Sequence, residues 1–449
     1  MPGPHDGGIR SAGHGITRRA FVAGAAMLPV AAAGCGNDQG GGSPGAIRMT
    51  WWGNEDRAKI TQQALDLFQT KHSDITVERE YTGSFDDYWD RIATQTAGGN
   101  SPDVIQMSTS YIVEYGDRGA LLDLAPHLDQ AIPTTDLAKG SLDPYRTGSG
   151  VFGIPWVGNV WTLIYNEKVL QDAGIDPPGD DLQAWTWESF EALAQQLGDA
   201  TPDDVHGILD FGGQSTTFEV WVRQQGKALF TEDRRLGFEQ ADLAAFWGLA
   251  DRMRRSGAST PPDVTSAAGD TLEQNPMAKN QTGLIFYWSN QIVGLTEVGG
   301  GPEQVPLQLI RVPGESPTPS QNVHASQLLS ASAKTKNPEA CATLIDFLLN
   351  DPEAGAILGS NRGTPLNEKV AESIKGTVEP VETQEIDFIA AQSDTFAPAP
   401  APYPVGGGEI TDGIFLRVYE ELMYGRSSID QAAASFFEQA EQVLARGGK

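Results

Sequence analysis

The stretch Ile47–Glu80, IRMTWWGNEDRAKITQQALDLFQTKHSDITVERE, decides the fold class. Ile47-Arg48-Met49-Thr50-Trp51-Trp52 reads as a strand stopped by Gly53. Arg57 to His72 then places Ile60, Ala64, Leu67 and Phe68 on one face of a helix. Ile75 to Glu80 alternates again as a second strand. Phe85 to Thr96 reads as a helix, and Asp103 to Met107 (DVIQM) as a short buried strand. Strands alternating with helices build an α/β sheet. Ligands of such sheets sit beyond the carboxyl ends of the strands. Those ends are Trp52-Gly53-Asn54-Glu55 and Ser108-Thr109-Ser110-Tyr111.

Toward the C-terminus, Val151 to Asn166 (VFGIPWVGNVWTLIYN) reads as two strand pieces separated by Gly158-Asn159. Asn166 and Thr186 are positioned as helix caps. Gly283 to Gln291 (GLIFYWSNQ) is an apolar strand ending in Tyr287-Trp288-Ser289-Asn290, and Leu328 to Ser332 is another short strand. Asn337-Pro338-Glu339 starts a helix, with a capping residue, Pro at the first position and an acid in the first turn. Cys341, Leu344, Ile345, Leu348 and Leu349 share one face of it, so Cys341 reads as a packing residue. Ala397 to Pro404 (APAPAPYP) is an extended connector, and a final helix begins near Ser428.

Toward the N-terminus lies an export signal. Arg18 and Arg19 precede an apolar run, Ala20 to Ala33, which is too short to span a bilayer. Thr17-Arg18-Arg19-Ala20-Phe21-Val22 resembles a twin-arginine signal; an ordinary secretory signal with two adjacent Arg is the alternative. The run ends at Ala32-Ala33-Gly34-Cys35, which resembles a lipobox with Cys35 as the lipidated first mature residue. Residues 1–34 are therefore expected to be removed. Residues 35–46 form a lipid-anchored flexible tether, rich in Gly from Gly36 onward. Gly40, Gly42 and Gly45 match the spacing of a dinucleotide fingerprint, but no strand precedes them and no helix follows, so the match is compositional.

The 449 residues carry 31 Lys+Arg against 59 Asp+Glu, a net charge of −28, which opposes a nucleic-acid backbone. Two Cys make neither a disulfide framework nor a Cys-rich zinc site. No nucleophile elbow, His-Glu-x-x-His or P-loop is present. The mature His residues, His72, His127, His206 and His324, are far apart and read as packed or solvated. The chain is expected to use no catalytic residue, no metal and no cofactor.

What the sequence does repeat is an aromatic residue beside short polar ones at strand ends. Trp52 lies beside Asn54 and Glu55. Tyr111 follows Ser108 and Ser110, Trp156 and Trp161 flank Asn159, and Trp288 adjoins Ser289 and Asn290. A sugar needs this mixture, because its C–H faces stack on an indole while its hydroxyl rim pairs with amides and carboxylates. Trp51 and Trp247 read instead as core.

These segments, in this order, resemble the extracellular solute-binding proteins of carbohydrate ABC transporters, the maltose-binding-like group (solute-binding protein family 1). The resemblance rests on Trp51-Trp52-Gly53, Tyr88-Trp89-Asp90, Gly98 to Met107 (GGNSPDVIQM), Ala120 to Leu124, Gly153-Ile154-Pro155 with Leu163 to Asn166, Ala173-Gly174-Ile175, Trp185 to Phe190, Lys336 to Ala340 and Arg362-Gly363-Thr364-Pro365. It runs from about residue 46 to the C-terminus.

The resemblance implies a type II periplasmic-binding-protein-like α/β fold: two α/β lobes joined by a hinge, with ligand in the cleft. Lobe 1 is expected at residues 46–154 and 328–360, and lobe 2 at 155–327 and 361–449. It implies capture of a sugar by hinge closure and delivery to ABC permease subunits, by a monomer held at the outer face of the cytoplasmic membrane through its lipid. Carried over by position, Trp52, Glu55 and Ser108 face the cleft from lobe 1, and Trp156, Asn159 and Trp288 from lobe 2. Arg362 and Gly363 form a turn that approaches the ligand. Asp86 and Tyr88 are further pocket positions, as are Phe211, Gln214 and Trp221. A glycerol-phosphate ligand, a secreted carbohydrate-active enzyme with a carboxylate pair, and a glycan-recognising adhesin are the competing readings.

Overall fold

The computed structural model describes residues 45–147, 150–179, 184–231, 233–268, 272–314, 320–400 and 403–447. The signal segment and Cys35 lie outside the described residues, as do residues 35–44 of the tether and the side chain of Asp86. Eleven strands are described: β1 (Ala46–Trp52), β2 (Thr76–Thr82), β3 (Val104–Met107), β4 (Arg146–Thr147), β5 (Gly150–Val151), β6 (Ile154–Asn166), β7 (His206–Ile208), β8 (Thr282–Trp288), β9 (Leu307–Ile310), β10 (Val323–Ala331) and β11 (Thr364–Pro365).

Nine of them form one sheet in the order β2-β1-β3-β10-β6-β8-β7, with β9 and β11 also on β6; β4 and β5 pair as a separate hairpin. The β2-β1-β3 part is parallel, as the strand–helix–strand alternation predicts. Helix Glu55–Lys71 connects β1 to β2. Asn54 caps it, its side chain accepting the Arg57 N–H at 2.9 Å, and Glu55 and Asp56 sit in its positive first turn.

The sheet is held together by β6. Its first residues, Ile154 to Val157, pair with Leu329 to Gln327 of β10, and its last, Trp161 to Tyr165, pair with Trp288 to Leu284 of β8. Strand β10 runs beside it in the opposite direction, with register shifts on either side of Gln327. The 13-residue β6 is continuous, so the expected break at Gly158-Asn159 is corrected. Gly158 serves close packing there: a Cβ would meet Val323 at 2.6 Å and Leu366 at 2.9 Å. Only a residue without a side chain lets β10 and the segment after β11 close in on both sides.

Each half of the sheet buries its own cores. On the β1 side, Met49, Trp51, Val104, Ile154, Trp156 and Leu329 pack with helices Glu55–Lys71 and Pro338–Asn350. The opposite face packs Ile105, Met107 and Leu328 under Tyr88, Trp89 and Ile92 of helix Phe85–Ala97. On the β8 side, Leu163, Leu284 and Phe286 pack with Phe190, Phe246, Trp247, Phe415 and Phe436 from four helices. Trp51 and Trp247 are fully buried, as expected. Cys341 is buried too, and burial pushes its thiol up to about 12, far from reactive. Asn337 stands at the helix start but does not cap it; its amide instead donates to the Ala46 carbonyl at 2.8 Å and ties that helix to β1.

Candidate functional site: an aromatic and polar surface at the strand ends

Trp52 ends β1. Its half-buried ring packs edge-on against Phe85 at 5.3 Å and beside Tyr88 at 5.2 Å. Phe85 is 39% exposed, high for a phenyl ring, and Trp89 stacks on Tyr111 at 4.1 Å. Tyr111 follows the turn after β3. There the Ser108 hydroxyl accepts the Ser110 N–H at 3.2 Å, which holds Thr109 and Ser110 at the strand end. Short hydroxyl residues suit this turn because they satisfy the backbone locally.

On the β8 side, Trp288 meets Trp161 edge-on at 5.1 Å, and its other neighbour is His324, 5.1 Å away at a tilt of 34°. His324 opens β10. Its Nε2 lies 3.5 Å from the Thr109 hydroxyl, so the turn after β3 and the end of β8 share one contact across β10. Burial pushes His324 down to about 4, so the ring is neutral at physiological pH and offers one donor and one acceptor. Asn290 follows, with a buried Oδ1 that has no hydrogen-bond partner. The result is a run of aromatic faces interleaved with hydroxyl, amide and imidazole groups: Trp52, Phe85, Tyr111, Thr109, His324, Trp288 and Asn290.

The residues singled out in the sequence divide. Trp52 and Trp288 lie half-buried at strand ends, Ser108 supports the turn, and Glu55 is exposed at the helix start beside Trp52. Asn159 is buried on β6 with a partnerless Oδ1. Gly363 lies against it, so that a Cβ there would come within 2.4 Å of that oxygen.

Trp156 and Arg362 are corrected, because both are core residues. The Trp156 indole donates to the Leu348 carbonyl at 3.0 Å, and the Arg362 guanidinium sits 5.2 Å from its ring. Arg362 Nη2 donates to the Thr61 hydroxyl at 2.6 Å, and burial, with Arg57 nearby, holds its pKa well below the usual guanidinium range. Trp156 faces helix Pro338–Asn350, and the local sequence carries no sign that a helix covers that side of β6. Tyr88 and Phe211 are likewise core, the Tyr88 hydroxyl donating to the Gln106 carbonyl at 2.8 Å. Gln214 binds the Phe286 carbonyl at 3.2 Å, and the half-buried Trp221 packs on Trp187.

His324, expected to be packed or solvated, and Phe85 were not among the expected ligand residues, and Thr109 was named only as part of the strand end Ser108 to Tyr111. His324 has no ligand-like neighbour in the chain. Its meaning comes from Trp288 and Thr109, which approach it across the sheet.

The family model of bacterial extracellular solute-binding proteins matches residues 63–382. An uncharacterized lipoprotein in the oleD 5′ region of Streptomyces antibioticus is 25% identical over 334 residues, covering 72% of this chain and 71% of that protein. Among solved structures, a family 1 extracellular solute-binding protein from Alicyclobacillus acidocaldarius superposes with a TM-score of 0.72 at 26% identity, over 90% of this chain and 100% of that one. A periplasmic oligogalacturonide-binding protein from Yersinia enterocolitica, in complex with saturated digalacturonic acid, superposes with a TM-score of 0.75 at 21% identity, over 90% and 100% of the two chains. The chain belongs to the bacterial extracellular solute-binding proteins.

Proposed function

We propose that this protein captures a carbohydrate on the surface running from Trp52 to Asn290 and delivers it to the permease of an ABC importer. One observation carries this reading. Aromatic faces from both halves of the sheet stand beside hydroxyl and amide groups, and Thr109 and His324 bring the two sets together. A sugar ring presents an apolar face and a hydroxyl rim at once, which an indole and an adjacent amide match. The oligogalacturonide ligand of the Yersinia relative agrees with this class.

The mechanism is binding with closure. A ligand shifts a conformational equilibrium only through contacts that differ between the states, so the sugar must touch both halves. Solute-binding proteins of the periplasmic kind are a recognised case of hinge closure. Trp156 and Val157 pack in the core of the β1 side, while Trp161 packs with the β8 side. We therefore place the hinge at Gly158–Val160 and in the matching part of β10, three to six residues later on β6 than the lobe boundary read from sequence. Helix Glu368–Ile374 lies against Gly355 of helix Pro352–Leu358 through Val370, which supports assigning that helix to the first lobe as well.

Membrane attachment through a lipid on Cys35 completes the reading; the Streptomyces relative is described as a lipoprotein. The test is a thermal-shift screen of mono-, di- and oligosaccharides beside glycerol 3-phosphate. A ligand at about 100 times its Kd adds about 2.7 kcal/mol, so a saccharide of the right class raises Tm visibly. A shift with glycerol 3-phosphate alone, or turnover of any oligosaccharide, overturns the reading.

A further inference from the structure

Glu385 lies on helix Pro380–Gln392 and is wholly buried. Its Oε1 accepts the Ser289 hydroxyl at 2.8 Å, and the Ser289 oxygen in turn accepts the Val160 backbone N–H at 3.1 Å. The Ser289 N–H donates to the Val160 carbonyl at 2.9 Å. One serine thus joins the crossing strand β6, the end of β8 and a helix 96 residues further along the chain. Ser289 sits between Trp288 and Asn290, so whatever holds it also sets the position of both neighbours.

The charges around Glu385 do not compensate it. On its own helix, Glu382 is committed to the Ser360 hydroxyl at 2.9 Å and to the Glu379 N–H at 3.0 Å, and Asp387 pairs with Lys375 at 2.9 Å. Helix Gln291–Val298 carries one acid, Glu297, in its last turn, away from Ser289. From β9, the contact is the uncharged Gln308, bonded to Gln384. Glu385 Oε2 is buried without a partner. Burial, opposed by the Ser289 bond and reinforced by Glu382, pushes the carboxyl up to about 8.

We propose that Glu385 is a positioning residue for ligand capture, holding Trp288 and Asn290 against the crossing strand at Val160 through Ser289. This rests on the reading that Trp288 and Asn290 line the carbohydrate site. The neutral acid fits an enclosure that supplies one hydroxyl and no cation. Its carboxylate needs water or a counter-charge, so ionisation loosens the helix from the junction and Trp288 shifts against Trp161 and His324. The folded form keeps a proton that the unfolded chain releases near 4.5, so the junction is firmest below that value. Its stability falls as pH rises and is fully lost above about 8.

The experiment follows tryptophan emission of the ligand-free full chain from about pH 6 to about pH 9.5. A transition centred near 8 is expected in the wild type, with its amplitude reduced in Trp288→Phe. Glu385→Gln keeps the size and the acceptor for Ser289 but cannot ionise, and it abolishes the transition. Ser289→Ala abolishes it by cutting the relay while Glu385 still titrates, and serves should the Gln variant fold poorly. Saccharide affinity of the wild type weakens across the same window, by about tenfold for each unit by which the carboxyl pKa of the bound form exceeds that of the free form; that of Glu385→Gln does not. A transition that survives in both variants, or a wild type without one, overturns the proposal. If emission behaves as stated while no saccharide binds at any pH, the carbohydrate reading fails and the role of Glu385 in positioning Trp288 stands.

Discussion

Trp288 and Trp156 look alike in the sequence, each an indole beside small polar residues, yet they do opposite work. Trp288 is half-buried between Trp161 and His324, whereas Trp156 spends its indole N–H on the Leu348 carbonyl inside the core. Trp288→Ala is expected to weaken saccharide binding about tenfold or more, since an aromatic contact is worth ~0.5–1.5 kcal/mol beyond its buried area, with a small change in Tm. Trp156→Ala is expected to cost about 3–5 kcal/mol of stability by opening a cavity. Calorimetric titration read beside denaturant unfolding separates the two, and equal loss of affinity with unchanged stability in both variants would contradict the assignment. The aromatic–polar pairing was legible in the residues themselves. Which indole stays open at a strand end was not, because that depends on which sheet face a covering helix occupies.

At the scale of elements, periodicity and the caps at Thr186 and Asn166 were legible, while the cap expected at Asn337 failed and close packing was not legible. Thr186 caps helix Trp187–Ala200 with Ser189 completing the box, and Asn166 caps Glu167–Asp172, because both need only neighbours three residues away. Gly158-Asn159 read as a break, since Gly and Asn are turn residues. In the structure Gly158 lies inside a continuous strand, crowded from both flanks. Gly363 is of the other kind. Its φ of 128° suits glycine, and a Cβ would strike Asn159 Oδ1 at 2.4 Å and the Gly158 carbonyl at 2.9 Å. Gly363→Ala is therefore expected to destabilise the chain by about 1–3 kcal/mol, lowering the denaturant midpoint. It should also weaken saccharide binding by displacing Asn159 from the crossing strand. An unchanged midpoint would show that β11 relaxes around the methyl group.

At the scale of the molecule, a chain with a net charge of −28 is built as one sheet whose two halves meet along β6 and β10. No helix among the described residues is long and apolar enough to cross a membrane. Cys35→Ala is expected to move the protein from the membrane fraction to the soluble one after cell fractionation, and its retention in the membrane fraction would refute lipidation. The amino-acid order by itself determined the α/β class, the chain order of its strands and helices, and the caps at Asn166 and Thr186. Each of these follows from side-chain periodicity or from residues close together in the chain. Tertiary structure alone decided that β6 crosses unbroken, that Trp156 and Arg362 are core, and that His324 joins Thr109 to Trp288. It also placed Glu385 beneath Ser289. Those outcomes depend on contacts between segments tens to hundreds of residues apart, and the pairing of such surfaces leaves no mark on either segment read alone.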